Sequence, residues 1–197
     1  LHIFATTNVV TADCFNCFHL YHYMSVDDGY NWSAQRDISV LPTGAAKRQA
    51  ILDADDNLPV VWEMANGGDL GQTTRPKKVD YTASYDHGET WTDPVMFVPA
   101  GPDSESANPA IAIDGKGSLI LTWMAVTDDF FYSQESQDKG RTWSVPRRIA
   151  GAWNTINVFD ARLDTQVMAP DSAGNLHLIV VGRLTAEQRD MSLLRFV

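Results

Sequence analysis

Cysteine, positive charge and long apolar runs are all scarce in this chain of 197 residues. No stretch approaches the roughly 18 consecutive apolar residues of a membrane-spanning helix, so we expect no transmembrane segment. Lys and Arg number 15 against 25 Asp and Glu, which gives a formal net charge of −10. Because no Lys/Arg cluster interrupts this acidic balance, a nucleic acid backbone is excluded as a partner.

Helical periodicity is missing as well. No segment keeps apolar residues at the 3.6-residue spacing of an amphipathic helix. Short apolar stretches instead alternate with turns rich in Gly, Asp and Asn. This pattern predicts an all-β protein. A hydrophobic content of 44% with 20% charged residues is ordinary for a folded domain.

The two cysteines, Cys14 and Cys17, form a C-x-x-C pair followed by Phe18 and His19. His is one position too late for the C-x-x-C-H signature of covalent haem. The second ligand pair that a zinc site needs is absent. We therefore expect no metal and no cofactor. We interpret the pair as a local disulfide, formed in an oxidising compartment, in the connection between two strands; free thiols are the alternative.

What the sequence does contain is a short pattern of the form S-x-D-x-G-x-[TN]-W, which occurs three times. Its Gly allows positive φ, its Asp can accept hydrogen bonds from turn amides, and its Trp supplies a large apolar surface. The spacing does not fit a calcium loop. We therefore interpret the copies as structural turns, formed by Ser25, Asp27, Gly29 and Trp32, by Ser84, Asp86, Gly88 and Trp91, and by Ser136, Asp138, Gly140 and Trp143.

A second pattern, an Asp-led turn followed by an apolar strand, repeats with the same period. The turns begin at Asp53, Asp114 and Asp171, and each is followed by a leucine that opens the strand. Leu1 fits as a fourth copy that lacks its turn. Two independent patterns with one period predict an array of stacked supersecondary units.

Each period holds four short strands, and a single four-stranded meander cannot bury both of its faces. Stacking the copies around an axis buries them, which predicts a β-propeller of four-stranded antiparallel blades. We expect about three and a half blades: a partial blade at 1–44, blades at 45–100 and 101–152, and a partial blade at 153–197. Both chain ends look like strand interiors, so we expect a piece of a longer propeller.

The three S-x-D-x-G-x-[TN]-W copies resemble the Asp-box repeat of the bacterial neuraminidases in the sialidase superfamily. The resemblance spans nearly the whole chain. It implies a parent propeller of about six or more blades, with the Asp boxes on the face opposite any active site. Propellers of several other functions carry the same box, so it indicates the fold far better than the function.

Family sialidases hold the substrate carboxylate with arginines and use a Tyr–Glu pair and an Asp acid/base; their Phe/Tyr-Arg-Ile/Val-Pro motif does not occur here. At the inner-strand ends that the resemblance points to, Arg48 and Arg162 are candidates for anion contacts, because a guanidinium fork suits a carboxylate. Asp160 and Asp164 are the acid/base candidates. Salt bridges between blades are the alternative for all four.

Two functions follow as hypotheses. The first is a binding or scaffold module outside the cytoplasm that holds a glycan or a protein partner; the Gly-rich insert at 65–72 favours it. The second is an exo-sialidase-type glycoside hydrolase whose catalytic residues lie partly outside this chain. A purely structural subunit is a third class. We expect the remaining blades of the same parent chain as partners, and no direct membrane insertion.

Overall fold

The computed structural model describes residues 1–11, 14–40, 44–65, 78–97, 105–125, 130–149, 166–182 and 192–196. All regular elements within these ranges are strands: β1 (His2–Thr11), β2 (Cys14–Met24), β3 (Arg36–Asp37), β4 (Gly44–Ala50), β5 (Leu58–Ala65), β6 (Lys78–Ser84), β7 (Val95–Phe97), β8 (Ser106–Ile113), β9 (Leu119–Ala125), β10 (Phe130–Ser136), β11 (Arg147–Arg148), β12 (Val167–Pro170), β13 (Leu176–Gly182) and β14 (Ser192–Phe196). These ranges contain no helix of the length and hydropathy that crossing a membrane requires.

The strands form four antiparallel sheets in which spatial neighbours are also neighbours along the chain. Blade 1 is β1–β3, blade 2 is β4–β7, blade 3 is β8–β11 and blade 4 is β12–β14. The predicted all-β propeller with four-stranded antiparallel blades is confirmed. Blade 1 lacks the first strand of a complete blade. Its β1 corresponds to β5 and β9, because each of these strands is followed by one more strand and then by an S-x-D-x-G-x-[TN]-W turn.

The interpretation of Cys14 and Cys17 as part of a connecting segment is wrong. The β1–β2 hairpin keeps its pairing as far as Thr11 opposite Cys14, so the backbone of both cysteines belongs to β2. The pairing shifts register between Val9 and Thr11, and it still satisfies backbone groups there that an open loop would leave to water. Their side chains lie outside the described part of the structure, and the disulfide stays a prediction.

The apolar core lies in the seams between blades. Adjacent residues on a strand point to opposite faces, so a central strand packs against both neighbouring blades. In the first seam, between blades 1 and 2, Leu20 and Ile38 meet Val60 and Trp62. The second seam joins Val61 and Tyr81 of blade 2 to Ile111, Leu121 and Trp123 of blade 3. The third joins Ala107, Met124 and Phe131 to Leu178 of blade 4.

The two outermost faces continue this pattern without a cover. Ile3 holds the position in β1 that Val60 holds in β5, yet Ile3 is 45% exposed and Val60 is 0% exposed. Ile179 matches Val61 in the same way and is 36% exposed. Side chains suited to a seam therefore face outward at both ends of the described array.

Two backbone turns touch across the third seam. The amide of Gly115, in the turn between β8 and β9, donates to the carbonyl of Gly174, in the turn between β12 and β13, at 3.0 Å. A Cβ on Gly115 would lie 2.6 Å from the Cα of Gly174. Blade 2 has Ala54 at the matching position, so alanine suits the turn itself, and only the contact with blade 4 demands glycine.

We expect Gly115→Ala to lower the free energy of unfolding by roughly 1–3 kcal/mol, because the methyl group would force the two turns apart. Urea denaturation measures this change. Gly117→Asn is the matched control, since nothing lies within 4 Å of a Cβ there and Asn tolerates the φ of +84°. Equal effects of the two substitutions would contradict the steric explanation.

Candidate functional site

The three S-x-D-x-G-x-[TN]-W turns share one hydrogen-bond pattern. In blade 2, Ser84 Oγ accepts from the amide of Gly88 at 2.7 Å and donates to Asp86 Oδ1 at 2.8 Å. Asp86 Oδ1 also accepts from the amide of Thr90 at 2.8 Å. Blades 1 and 3 repeat these bonds around Asp27 and Asp138. The polar side chains of the pattern are therefore bonded within the turns.

The tryptophans of these turns pack across the seams. Trp91 of blade 2 meets Phe4 and His22 of blade 1 edge-on, with ring centroids 5.9 and 5.1 Å apart. Trp143 of blade 3 meets Tyr81 and Phe97 of blade 2 at 5.2 and 5.0 Å. The turns of blades 2 and 3 thus fix their own blade to the preceding one, whereas Trp32 of blade 1 is 40% exposed.

In blades 2 and 3, a threonine four residues after the turn aspartate donates hydrogen bonds that stabilise the charged form of that aspartate. The side chain and amide of Thr142 lower the pKa of Asp138 to about 2. The side chain of Thr90 likewise lowers the pKa of Asp86. A lowered folded-state pKa stabilises the fold above the unfolded value near 4, and that contribution is lost as the pH falls through the folded value.

We therefore expect Asp138→Asn to be less stable than the wild type at pH 6 and to approach it towards pH 2. The asparagine keeps the shape of the side chain but loses the charge that the turn donors stabilise. Urea unfolding across this range measures the gap, with the exposed Asp93→Asn as control. A gap that is constant with pH would show that the carboxylate charge contributes nothing.

Arg48, the candidate site residue that the structure describes, lies on β4, the first strand of blade 2. In each complete blade, the turn between the first two strands and the turn between the last two lie at one end of the sheet. The inner strands β4 and β8 begin at the other end. Arg48 is the fifth of the seven residues of β4 and lies level with the middle of β5, between Val61 and Glu63, so it is about halfway between the two ends.

Both inner strands carry a β-bulge there. The pairing of β4 with β5 shifts between Ala46 and Gln49, and that of β8 with β9 shifts between Ala107 and Ala110. Lys47 and Asn108, the first residues of the two bulges, have φ of 46° and 51°. Bulges re-aim side chains and often occur near functional sites.

The bulges meet at a buried carboxylate in the second seam. Glu63 is 3% exposed, and its Oε2 accepts from the amide of Asn108 at 3.0 Å. Lys47 Nζ lies 3.7 Å from the same oxygen and donates to the side chain of Asn108. We call Lys47, Arg48, Glu63 and Asn108 the inner-strand cluster. Its buried charges are paired, as burial requires.

A second polar link extends the connection to blade 4. Gln49 Oε1 accepts from the amide of Ile111 at 3.2 Å, and Gln49 Nε2 donates to the carbonyl of Gln166 at 2.8 Å. Gln166 in turn accepts from Thr122 Oγ1 at 2.9 Å through its own side chain. One glutamine side chain therefore joins three successive blades.

Arg48 differs from its neighbours in the cluster because it is exposed. Its Nε donates to the carbonyl of Phe4 in blade 1 at 3.3 Å. This contact uses one of the five guanidinium donors, and a guanidinium can bind a carboxylate through two of the others. Arg162, Asp160 and Asp164 lie outside the described residues, so their roles stay predictions.

The sequence pattern placed Lys47, Gln49 and Asn108 in the segments of the candidate site without giving them a role, and it missed Glu63. One signal was present for the second bulge, because Pro109 inside an apolar strand indicates a bulge or an edge. The repeat then extends this signal to Lys47, since Lys47 and Asn108 each lie six residues before the Asp that opens the next turn. Glu63 gave no signal, since an acidic residue in a strand reads as exposed.

We expect Glu63→Gln to lower the free energy of unfolding by about 2 kcal/mol, because Lys47 would lose its counter-ion in a mostly buried setting. Glu89→Gln, on an exposed turn of the same blade, should change it by less than about 0.5 kcal/mol. Urea denaturation compares the two variants. If both cost the same, the buried pair adds nothing to the stability.

Neither the protein-family models nor the curated protein sequences gave a match to this chain. Solved structures did. The NanB sialidase of Streptococcus pneumoniae aligns over 98% of the chain with a TM-score of 0.62 and 8% identity. The Hadza microbial sialidase Hz136 aligns over 91% with a TM-score of 0.57 and 16% identity. The α-L-arabinofuranosidase Arb93a of Fusarium graminearum aligns over 91% with 0.55 and 14%.

These likenesses establish the fold, which is that of a sialidase-like β-propeller. The chain spans 47% of NanB, 38% of Hz136 and 53% of Arb93a. At such low identity the shared feature is the arrangement of strands, and site residues need to be argued from this chain itself.

Proposed function

We propose that this chain is part of a sialidase-like propeller that binds a glycan carrying an acidic group, with Arg48 as the contact to that group. The single observation behind this proposal is the exposed guanidinium of Arg48, held by the carbonyl of Phe4 in the neighbouring blade. A cation that is fixed at one nitrogen loses less side-chain entropy when it binds.

The charge balance of the inner-strand cluster supports an anionic ligand. Glu63 is engaged by Lys47 and by the amide of Asn108, so the buried carboxylate and the buried end of the lysine offset each other. Arg48 adds an exposed positive charge to this pair. The chain as a whole has a net charge of −10 and would repel an anion. A local positive charge such as Arg48 can still attract an anionic group at its own position on the surface.

We propose further blades of the same parent chain as the structural partners of this array. The exposed Ile3 and Ile179 support this, because their counterparts Val60 and Val61 are fully buried in seams. A blade with the same repeat would cover either face with packing that the chain already uses three times. A location outside the cytoplasm rests on the Cys14–Cys17 disulfide prediction.

Glycoside hydrolysis of the exo-sialidase type is the second candidate function. It is favoured by the comparisons, because sialidases and an arabinofuranosidase share this fold. In that case Arg48 would hold the substrate, and the acid/base would come from Asp160, Asp164 or another blade. A fluorogenic sialoside distinguishes the two functions, since turnover by the full-length protein identifies a hydrolase and binding without turnover identifies a binding module.

For the full-length protein we expect Arg48→Ala to weaken binding of 3′-sialyllactose by roughly 10- to 100-fold, since a charge-assisted hydrogen bond contributes about 1.5–3 kcal/mol. Isothermal titration calorimetry measures the affinity, and uncharged lactose tests the need for the carboxylate. Arg147→Ala, exposed on the outer strand β11, is the matched control. Unchanged affinity in Arg48→Ala, or equal binding of lactose, would refute the acidic-glycan proposal.

A further inference from the structure

The first seam contains a buried imidazole and a buried carboxylate, with the buried Lys78 on the same face of β6 as the carboxylate. His22 of blade 1 is 2% exposed and lies between Phe4, His2 and Trp91, with ring centroids 5.1–5.2 Å apart. Its Nε2 is 2.9 Å from Nδ1 of His2. Gly88 of blade 2 covers the ring so closely that a Cβ there would lie 2.6 Å from Cε1 of His22.

Asp80 of blade 2 faces the same seam. It pairs with Trp62 across the β5–β6 ladder, and directly paired residues project on one face of a sheet. Trp62 packs against Leu20 and Ile38 of blade 1. Asp80 is 2% exposed, and within the part of the chain that the structure describes its Oδ2 has no hydrogen-bond partner.

We propose that Asp80 and His22 change the stability of the first seam in opposite directions as the pH falls, so that their effects offset each other across the mildly acidic range. Replacing either residue alone would then make the stability of the seam depend on pH. The basis is geometric, because both side chains are excluded from water in the same seam. The carboxyl group of Asp80 becomes charged when it loses a proton, whereas the imidazole of His22 becomes charged when it gains one. Charging either of them inside the seam favours its opening.

The physical signs of the two contributions are opposite. Burial raises the pKa of Asp80 to about 6, so the folded state takes up a proton first and gains stability as the pH falls from 6 towards 4. Burial, followed by the positive charges of His2 and Arg36, lowers the pKa of His22 to about 4. Its contribution is complete above the unfolded value near 6.5 and is lost as the pH falls towards 4.

Other charged groups also face the seam from both blades. They are the amine of Leu1, which donates to the carbonyl of Ser25 at 2.7 Å, together with His2 and Arg36 of blade 1 and Arg48, Asp56, Lys78 and His87 of blade 2. His87 and Asp56 are 67% and 61% exposed and lie 3.8 Å apart. Solvent screens the exposed His87 and Asp56, whereas Lys78, at 6% exposed, shares the cost of burial with Asp80 and His22.

The test compares unfolding equilibrium constants of the chain at pH 4.5 and pH 7.5, expressed as a ratio relative to the wild type. We expect Asp80→Asn to raise this ratio by about 30-fold, because the acid-stabilising group is gone. His22→Phe should lower it by about 70-fold, because the acid-destabilising group is gone and the ring packing is kept. The double variant should return to within about threefold of the wild type.

Asp93→Asn and His87→Asn, both at exposed positions, are the matched controls and should leave the ratio within about threefold. Should either buried variant fail to fold, NMR titration of the wild-type His22 imidazole replaces it, with no protonation expected above pH 5. Shifts of the ratio in the same direction, no shift in either variant, or a His22 that titrates near pH 6.5 would each overturn the proposal.

Discussion

Every blade of this protein has to bury both of its faces, and the packing of one blade against the next is what meets that requirement. Adjacent residues such as Val60 and Val61 point into different seams and are both fully buried. The turn tryptophans Trp91 and Trp143 reach back over the preceding blade. Stability is therefore held mainly between sheets, and a single sheet has no core of its own.

The candidate site depends on the same packing. The bulges at Lys47 and Asn108 belong to different blades, and they meet at Glu63 only because the second seam is closed. Arg48 is held by a carbonyl of blade 1 while its strand belongs to blade 2. A loosened seam would move these groups apart, so the geometry of any ligand contact at the inner strands is a property of the array.

Much of the fold could be predicted from the residues, whereas little of the site could. The turn pattern from Ser84 to Trp91 needs only its own side chains to form, so its sequence is enough to identify it. Glu63 and Gln49 behave differently, because their partners lie 45 and 62 residues away. Nothing local to an acidic or amide residue indicates such partners. Cys14 was misplaced because a hairpin can extend further than its turn residues suggest.

The repeat, the four-stranded blade and the turns follow from local sequence, because they rest on spacing and on hydrogen bonds within a few residues. The tertiary structure decided which polar side chains are buried and paired. Asp80 and His22 look like ordinary strand residues along the chain and become unusual only when blade 2 closes on blade 1. Arg48 is a candidate contact through the resemblance, and the structure shows that it is exposed next to Lys47, which lies beside the buried Glu63.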